Sequence, residues 1–319
     1  MKLNIIWLAV IFLCSNQESS YAQQLNKNQK EKTIEIIKDQ NFDNGVQLFG
    51  TVSAKASAIT QLYPFGKTNT EPIWALAQWG SNFNFLGSPS RAVKGGIVYE
   101  NEGKRFSFIK EGKSSLVSLE VFGTKEYPSA RIEGQDWPHL LFGQNMTTKV
   151  SLNQIRELFY TIDARLMYDE NKMGALLDPK LHTSQVSLYL SIQNVNKSSA
   201  DYLDYFWFGL PLYDYRYKDI KEYAAQDLGK EDATKKFILN VASKELFKGT
   251  LHDKKWVNIG KDIYPLIIRA FKTAKERGFL KNTDLNDLAI GSMNFGWEVP
   301  GTFDCGLQFK NLSLTATLK

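Results

Sequence analysis

The strongest constraint on the fold lies near the end of the chain. Ala289, Gly291, Met293, Phe295, Trp297 and Val299 occupy alternate positions and are mostly large and apolar, with the polar Ser292, Asn294 and Glu298 between them. Period two is the pattern of a half-buried β-strand; a helix would space its apolar residues three and four apart. Pro300-Gly301 stops the run. Cys305 to Leu314 then reads as the next strand, with Leu307, Phe309, Leu312 and Leu314 as its apolar members. Strands of this kind need a sheet that buries one face and leaves the other to solvent. Glu298 falls on the open face with Ser292 and Asn294, so the sheet presents a carboxylate from its floor.

The same texture fills most of the chain. Gly96 to Glu100, Arg105 to Lys110 and Ser115 to Phe122 read as strands joined by turns at Asn101-Glu-Gly103 and Glu111-Gly112. Trp137 to Gly143 is apolar and reads as buried. Leu158 to Met167 places Leu158, Tyr160, Ile162, Ala164 and Leu166 on one face, with Asp163 and Arg165 able to pair on the other. In Gln185 to Gln193 the residues Val186, Leu188, Leu190 and Ile192 point inward. Gln185, Ser187, Tyr189, Ser191 and Gln193 point outward. Tyr202 to Arg216 is apolar on both faces, as expected of a mid-sheet strand covered on both sides. One helix is expected, Asp262 to Arg277. Ile263, Leu266, Ile267, Ala270, Phe271 and Ala274 recur at helical spacing, Pro265 fits a first turn and Gly278 a stop. Many strands and one helix predict an all-β protein, an antiparallel β-sandwich or jelly roll with one packed helix on the outside of a sheet. No composition break divides it, so residues 41–319 are expected to form a single domain.

The first 22 residues have the form of a secretion signal. Lys2 is followed by an apolar run from Ile5 to Cys14, too short to cross a bilayer, and Ser20-Tyr21-Ala22 suits cleavage. Residues 23–40 are polar and read as a tether. The expected localisation is exported (periplasmic, cell-surface or extracellular), with a lipoprotein attached through Cys14 as the alternative. Beyond Cys14 only Cys305 remains, so no intrachain disulfide can staple the mature chain. No later segment is long and apolar enough for a membrane span. The formal net charge of +5 is spread along the chain with no basic block, which argues against a nucleic-acid partner.

The chemistry narrows by elimination. Three histidines (His139, His182, His252) and the absence of a Gly-x-Ser-x-Gly elbow disfavour a nucleophilic triad. His139 reads as a core histidine. No two His lie at metal-ligand spacing, so no cofactor or metal is expected, although a structural Ca²⁺ held by Asp and carbonyl oxygens stays open. Carboxylates and aromatics remain. A glycan cleft needs flat aromatic rings for sugar faces and amide or hydroxyl side chains for sugar hydroxyls; glycoside hydrolysis adds two carboxyl groups across the bond. The carboxylate candidates are Glu298, Asp204, Asp163 and Asp214, the last set to pair with Arg216. The aromatic candidates are Tyr189, Tyr205, Trp207 and Trp297, with Trp74, Trp79 and Trp137 from the first half.

From Leu158 to Lys319 the order of features resembles the retaining endoglucanases of glycoside hydrolase family 12, which are concanavalin A-like jelly rolls with a concave cleft. A strand, a second strand that in the family carries the nucleophile, one helix, a strand ending in Gly-x-Glu and a final strand follow in the family's order. Phe295-Gly-Trp-Glu298 is the match, and the resemblance implies a general acid/base role for Glu298. The nucleophile motif departs from the family. With Trp207 in place of the motif's Trp, the nucleophile position is Leu203, and Asp204 beside it is the candidate only if a bulge turns it to the cleft. The substrate-binding residues expected are Trp207, Tyr205, Tyr189, Asn294, Ser292 and Gln193. The partner is then a polysaccharide or oligosaccharide. Three functions are open: an exported polysaccharide hydrolase, a non-catalytic glycan-binding accessory protein of polysaccharide utilisation, and an exported structural jelly roll.

Overall fold

The computed structural model describes residues 32–53, 57–228 and 233–319. The signal expected at 1–22, with Cys14, and the expected tether as far as residue 31 lie outside the described residues. The strands of the first half are β1 (Thr33–Glu35), β2 (Val46–Phe49), β3 (Ala58–Leu62), β4 (Trp74–Ala77), β5 (Ser90–Val93), β6 (Gly96–Glu100), β7 (Lys104–Glu111), β8 (Ser114–Phe122) and β9 (His139–Asn145). Those of the second half are β10 (Ile155–Asn171), β11 (Gln185–Asn194), β12 (Tyr205–Asp214), β13 (Tyr223–Gln226), β14 (Phe237–Asn240), β15 (Val257–Asp262), β16 (Leu288–Glu298) and β17 (Phe303–Leu318). A helix of 13 residues, α1 (Tyr264–Glu276), joins β15 to β16.

The strands form two sheets packed face to face. The outer sheet runs β15-β10-β17-β8-β7-β6-β5, with β1 added to β17; the cleft sheet runs β13-β14-β12-β11-β16-β9-β4-β2-β3. Pairing is antiparallel except for β12 with β14 and β2 with β4, which are parallel. The all-β sandwich read from the alternation is therefore present, with two parallel pairs toward the flanks of one sheet.

The core is where the inner faces meet. Val186, Leu188, Leu190 and Ile192 of β11 face Tyr160, Ile162, Ala164 and Leu166 of β10 and their neighbours, all at most 2% exposed. Burying each of the valine, leucine and isoleucine side chains among them contributes about 1.5–3 kcal/mol. Phe42 stacks on Trp74 at 4.7 Å and tilts against Phe142 and Phe108. Trp297 is fully buried and donates its indole N–H to the Leu119 carbonyl at 3.0 Å, a bond that ties the two sheets together.

Four local readings change. Residues 33–40, given above to a polar tether, are structured: β1 pairs with Thr315–Thr317 of β17, and Ile36 and Ile37 enter the core. Three isoleucines, Ile34, Ile36 and Ile37, in a polar stretch are too short a run to announce a strand. The helix was expected outside one sheet, yet α1 packs on β10 and β12, one strand from each sheet, and Phe271 stacks on Phe206. It closes one side of the sandwich. Asp163 does not pair with Arg165. It accepts from Asn258 and Asn311 on the outer sheet, while Arg165 donates to Gln308 and lies over Trp256. Strict alternation in β16 also fails at Gly291, where the register against β11 shifts and Ile290 takes the inward place that the period assigned to Ala289.

Candidate functional site

The outward residues of the cleft sheet are fixed by cross-strand register. Asp214, Gln185, Glu298 and His139 lie in one row across β12, β11, β16 and β9. Tyr189 lies between Gly209 and Asn294 in a second row, and Ser191 between Trp207 and Ser292 in a third. A bulge at Leu212 makes the first row possible: Ser187 pairs with Pro211 but Val186 with Tyr213, so Tyr213 turns inward and Asp214 outward.

Over this floor lies a cavity of about 510 Å³. Tyr189, Trp207, Asn294 and Glu298 line it from the sheet, Trp79, Trp137 and His139 from β9 and the loops beside it, and Asp136, Asp227 and Thr234 from its walls. Its lining combines the rings of Trp79, Trp137, Tyr189 and Trp207 with hydrogen-bonding groups and a few aliphatic side chains, a mixture suited to sugar rings. Two further cavities adjoin it. One of about 650 Å³ shares Tyr189 and runs over Asn240, Pro211 and Tyr223; one of about 1000 Å³ shares Asp136 and Trp137. Together they make a groove across the sheet.

Glu298 is half-buried and accepts from the side-chain amide of Gln185 at 3.2 Å. Trp297 next to it points the other way, into the core, so Glu298 does not lie against its ring. Tyr189 accepts from Asn240 at 3.1 Å. Burial, with smaller contributions from the charges of Glu298 and Asp227, pushes the Tyr189 hydroxyl well above its ordinary pKa, so it stays a neutral donor. Among the described residues, Asn240 Oδ1 and Trp79 Nε1 are buried and find no hydrogen-bond partner. Such groups cost free energy when dry. The Asn240 amide is seated on Gly209, where a Cβ would stand 2.0 Å from Asn240 Oδ1.

The structure brings together Glu298, Tyr189, Trp207 and Asn294 from the expected site residues. Tyr205 is edge-on to Trp207 at 5.2 Å, below a Lys236 ammonium, and supports that ring from outside the cavity. Ser292 bonds Ser191 at 2.8 Å and Gln193 donates to the Leu203 carbonyl at 3.2 Å; both lie on the open face but beyond the cavity. Asp204 is not brought to Glu298. It precedes Tyr205, which pairs with Gln193, whereas Glu298 pairs with Gln185. Eight steps along β11 at about 3.3 Å each separate those rows by roughly 26 Å. Asp204 instead holds Lys236 at 2.6 Å and caps the Tyr205 N–H. Asp214 is engaged by Arg216 and Thr183.

Three contributors were not read from the sequence. His139, expected in the core, stands on the open face opposite Glu298. Its Nδ1 faces the carbonyls of Trp79 and Trp137 at 3.2 and 3.0 Å, so that nitrogen carries the proton. Asp136 and Asp227 come from loops whose path the alternation does not report. Among the described residues no group of three or more His, Cys, Asp or Glu could hold a metal ion, and no helix is long and apolar enough to cross a membrane.

Fold and site thus define a two-sheet β-sandwich with an aromatic, acid-bearing groove on one sheet. Neither a family model nor a curated protein matches the chain. Among solved structures it is similar to a cellulase derived from Cel12A of Rhodothermus marinus (11% identity, 72% of this chain and 96% of that one, TM-score 0.38). It is also similar to the xyloglucanase domain of NopAA from Sinorhizobium fredii, solved with cellobiose (10%, 74% and 100%, TM-score 0.35). A third likeness is to the family 11 xylanase of Neocallimastix patriciarum (9%, 72% and 95%, TM-score 0.36). The likeness reaches well beyond the Leu158–Lys319 half that the sequence pattern suggested.

Proposed function

We propose that the protein binds a polysaccharide or oligosaccharide in the groove of the cleft sheet, as an exported glycan-binding protein that does not hydrolyse its ligand by a retaining mechanism. One observation carries this reading: the position directly opposite Glu298 on β11 is an amide, Gln185, hydrogen-bonded to it. A retaining pair needs a second carboxyl group about 5 Å away. The sheet neighbours of Glu298 on its own face are Gln185, Ser187 and His139, none of them a carboxylate. The rings of Trp79, Trp137, Trp207 and Tyr189 supply stacking, and Glu298 serves as an acceptor for sugar hydroxyls.

A second reading is favoured by a specific observation. Asp227 lines the same cavity as Glu298, and both carboxylates act on the Tyr189 hydroxyl. An inverting hydrolase spaces its carboxyl groups about 6.5–9.5 Å apart to admit a water, and this reading assigns Glu298 as general acid and Asp227 as base across the shared cavity. A glycan panel assayed for both binding and release of reducing ends, with wild type, Glu298→Gln and Asp227→Asn, separates the two. Binding without release supports the first reading. Release lost in both variants supports the second. No binding and no release from wild type would sink both.

A further inference from the structure

The groove continues past Trp137 into the cavity of about 1000 Å³, where three cationic side chains stand: Arg131, Lys180 and Arg216. Their situations differ. Arg216 is answered by Asp214, Nη2 to Oδ2 at 2.7 Å and Nε to Oδ1 at 2.9 Å. Arg131 is only 5% exposed. Its Nη1 and Nη2 donate to the carbonyls of Ile132, Gln135 and Leu181, its Nε is buried with no partner, and its guanidinium lies 5.3 Å from the Trp137 ring. Among the described residues it forms no ion pair, and neither does the exposed Lys180.

Two carboxylates, Glu133 and Asp136, stand on the same rim. Both are exposed, so water and salt weaken their field, whereas the field of a buried guanidinium is screened much less. A cation held in the interior by carbonyl dipoles and an aromatic face, with only an exposed carboxylate acting on it, lacks the close counter-charge that burial demands. Burial also pushes its pKa down. An anionic group entering the cavity would supply that charge, and a guanidinium is the side chain best shaped to receive a carboxylate or sulfate.

We propose that this end of the groove takes an anionic group of the sugar chain, a uronate carboxylate or a sulfate ester, with Arg131 and Lys180 as its recognition residues. The inference rests on the reading of the groove as a glycan site and names the ligand class. The test is calorimetric titration of the protein with three arms: a neutral glucan, a polyuronate and a sulfated galactan, each at low and raised ionic strength. At least one anionic arm is expected to bind about tenfold tighter than the neutral one, and added salt should erase the difference. The arm that binds tells carboxylate from sulfate. Lys180→Glu, an exposed change whose fold is checked by thermal melt, should weaken the anionic arm about tenfold and leave the neutral arm within about twofold. Equal affinity for neutral and anionic chains, or an equal loss in both with Lys180→Glu, overturns the inference while the groove reading stands. No binding in any arm overturns both.

Discussion

Lys104 offers the sharpest test of the packing beside the cleft. It is fully buried, and its ammonium donates to Ser81 Oγ and the Phe83 carbonyl, while Ser81 Oγ donates to Glu126. Glu126 also receives the Asn82 N–H at 2.7 Å. These contacts fix the loop that follows Trp79 and Gly80 in the cleft wall. Burial lowers the lysine from 10.5 to about 8, against the pull of Glu126. That depression corresponds to about 3 kcal/mol at 25 °C. The folded state therefore holds this proton less tightly than the unfolded chain. Below pH 8 both states are protonated and the cost is fully present. Between 8 and about 10.5 the unfolded chain binds more protons, so stability rises with pH by up to about 3 kcal/mol. Above pH 10 the buried tyrosines, among them Tyr127 and Tyr160, whose hydroxyls burial pushes up, begin to act in the opposite direction. Urea denaturation from pH 7 to 10 should show wild-type stability rising through this window and Lys104→Met lacking the rise. Parallel curves for the two proteins would refute the claim that a desolvated ammonium sits in this knot.

Two more outcomes follow from buried contacts. Gly209→Ala places a methyl group 2.0 Å from Asn240 Oδ1 and 2.7 Å from the Tyr189 ring. Glycan affinity by titration should fall about tenfold for a stability loss of about 1–3 kcal/mol; unchanged affinity would remove Asn240 and Tyr189 from the binding floor. Asp169 accepts from Ser184 and Tyr213, and burial raises it from 3.8 to about 7. Its contribution is complete below about pH 4 and is lost as pH rises through 7, so Asp169→Asn should be more stable than wild type at pH 8, by up to about 4 kcal/mol. The gain should shrink at pH 5, and an equal gain at both pH values by urea denaturation would count against burial as its cause.

How much of this was legible in the sequence depended on how local the signal was. In β11 every second residue is apolar because one face packs on the core and the other is open, so Tyr189 and Gln193 could be placed on the open face from the alternation alone. Tyr205–Asp214 is apolar on both faces for a different reason: Phe206 and Phe208 enter the core while Trp207 enters the cleft. The failures share a cause. His139 belongs to the site because β9 pairs with β16 across more than a hundred residues, and nothing near His139 announces that partner. The bulges at Leu212 and Gly291 each change which residues face the groove, and one extra residue leaves no compositional trace. Asp204 was placed near Glu298 by analogy of order, and the register moved it to the far end of the strand.

The pairing of Gln185 with Glu298 has an evolutionary side. Opposed residues on adjacent strands carry their Cβ atoms about 4.5–5.5 Å apart, close to the separation that retaining glycosidases set between their carboxyl groups. Because groove and core residues alternate along β11, position 185 can change its chemistry without disturbing Val186 beneath it. Glutamine and glutamate codons differ by a single base. A binding groove of this form and a pair of opposed carboxylates therefore stand one point mutation apart, and selection could cross that step in either direction while the sandwich that supports it stays the same.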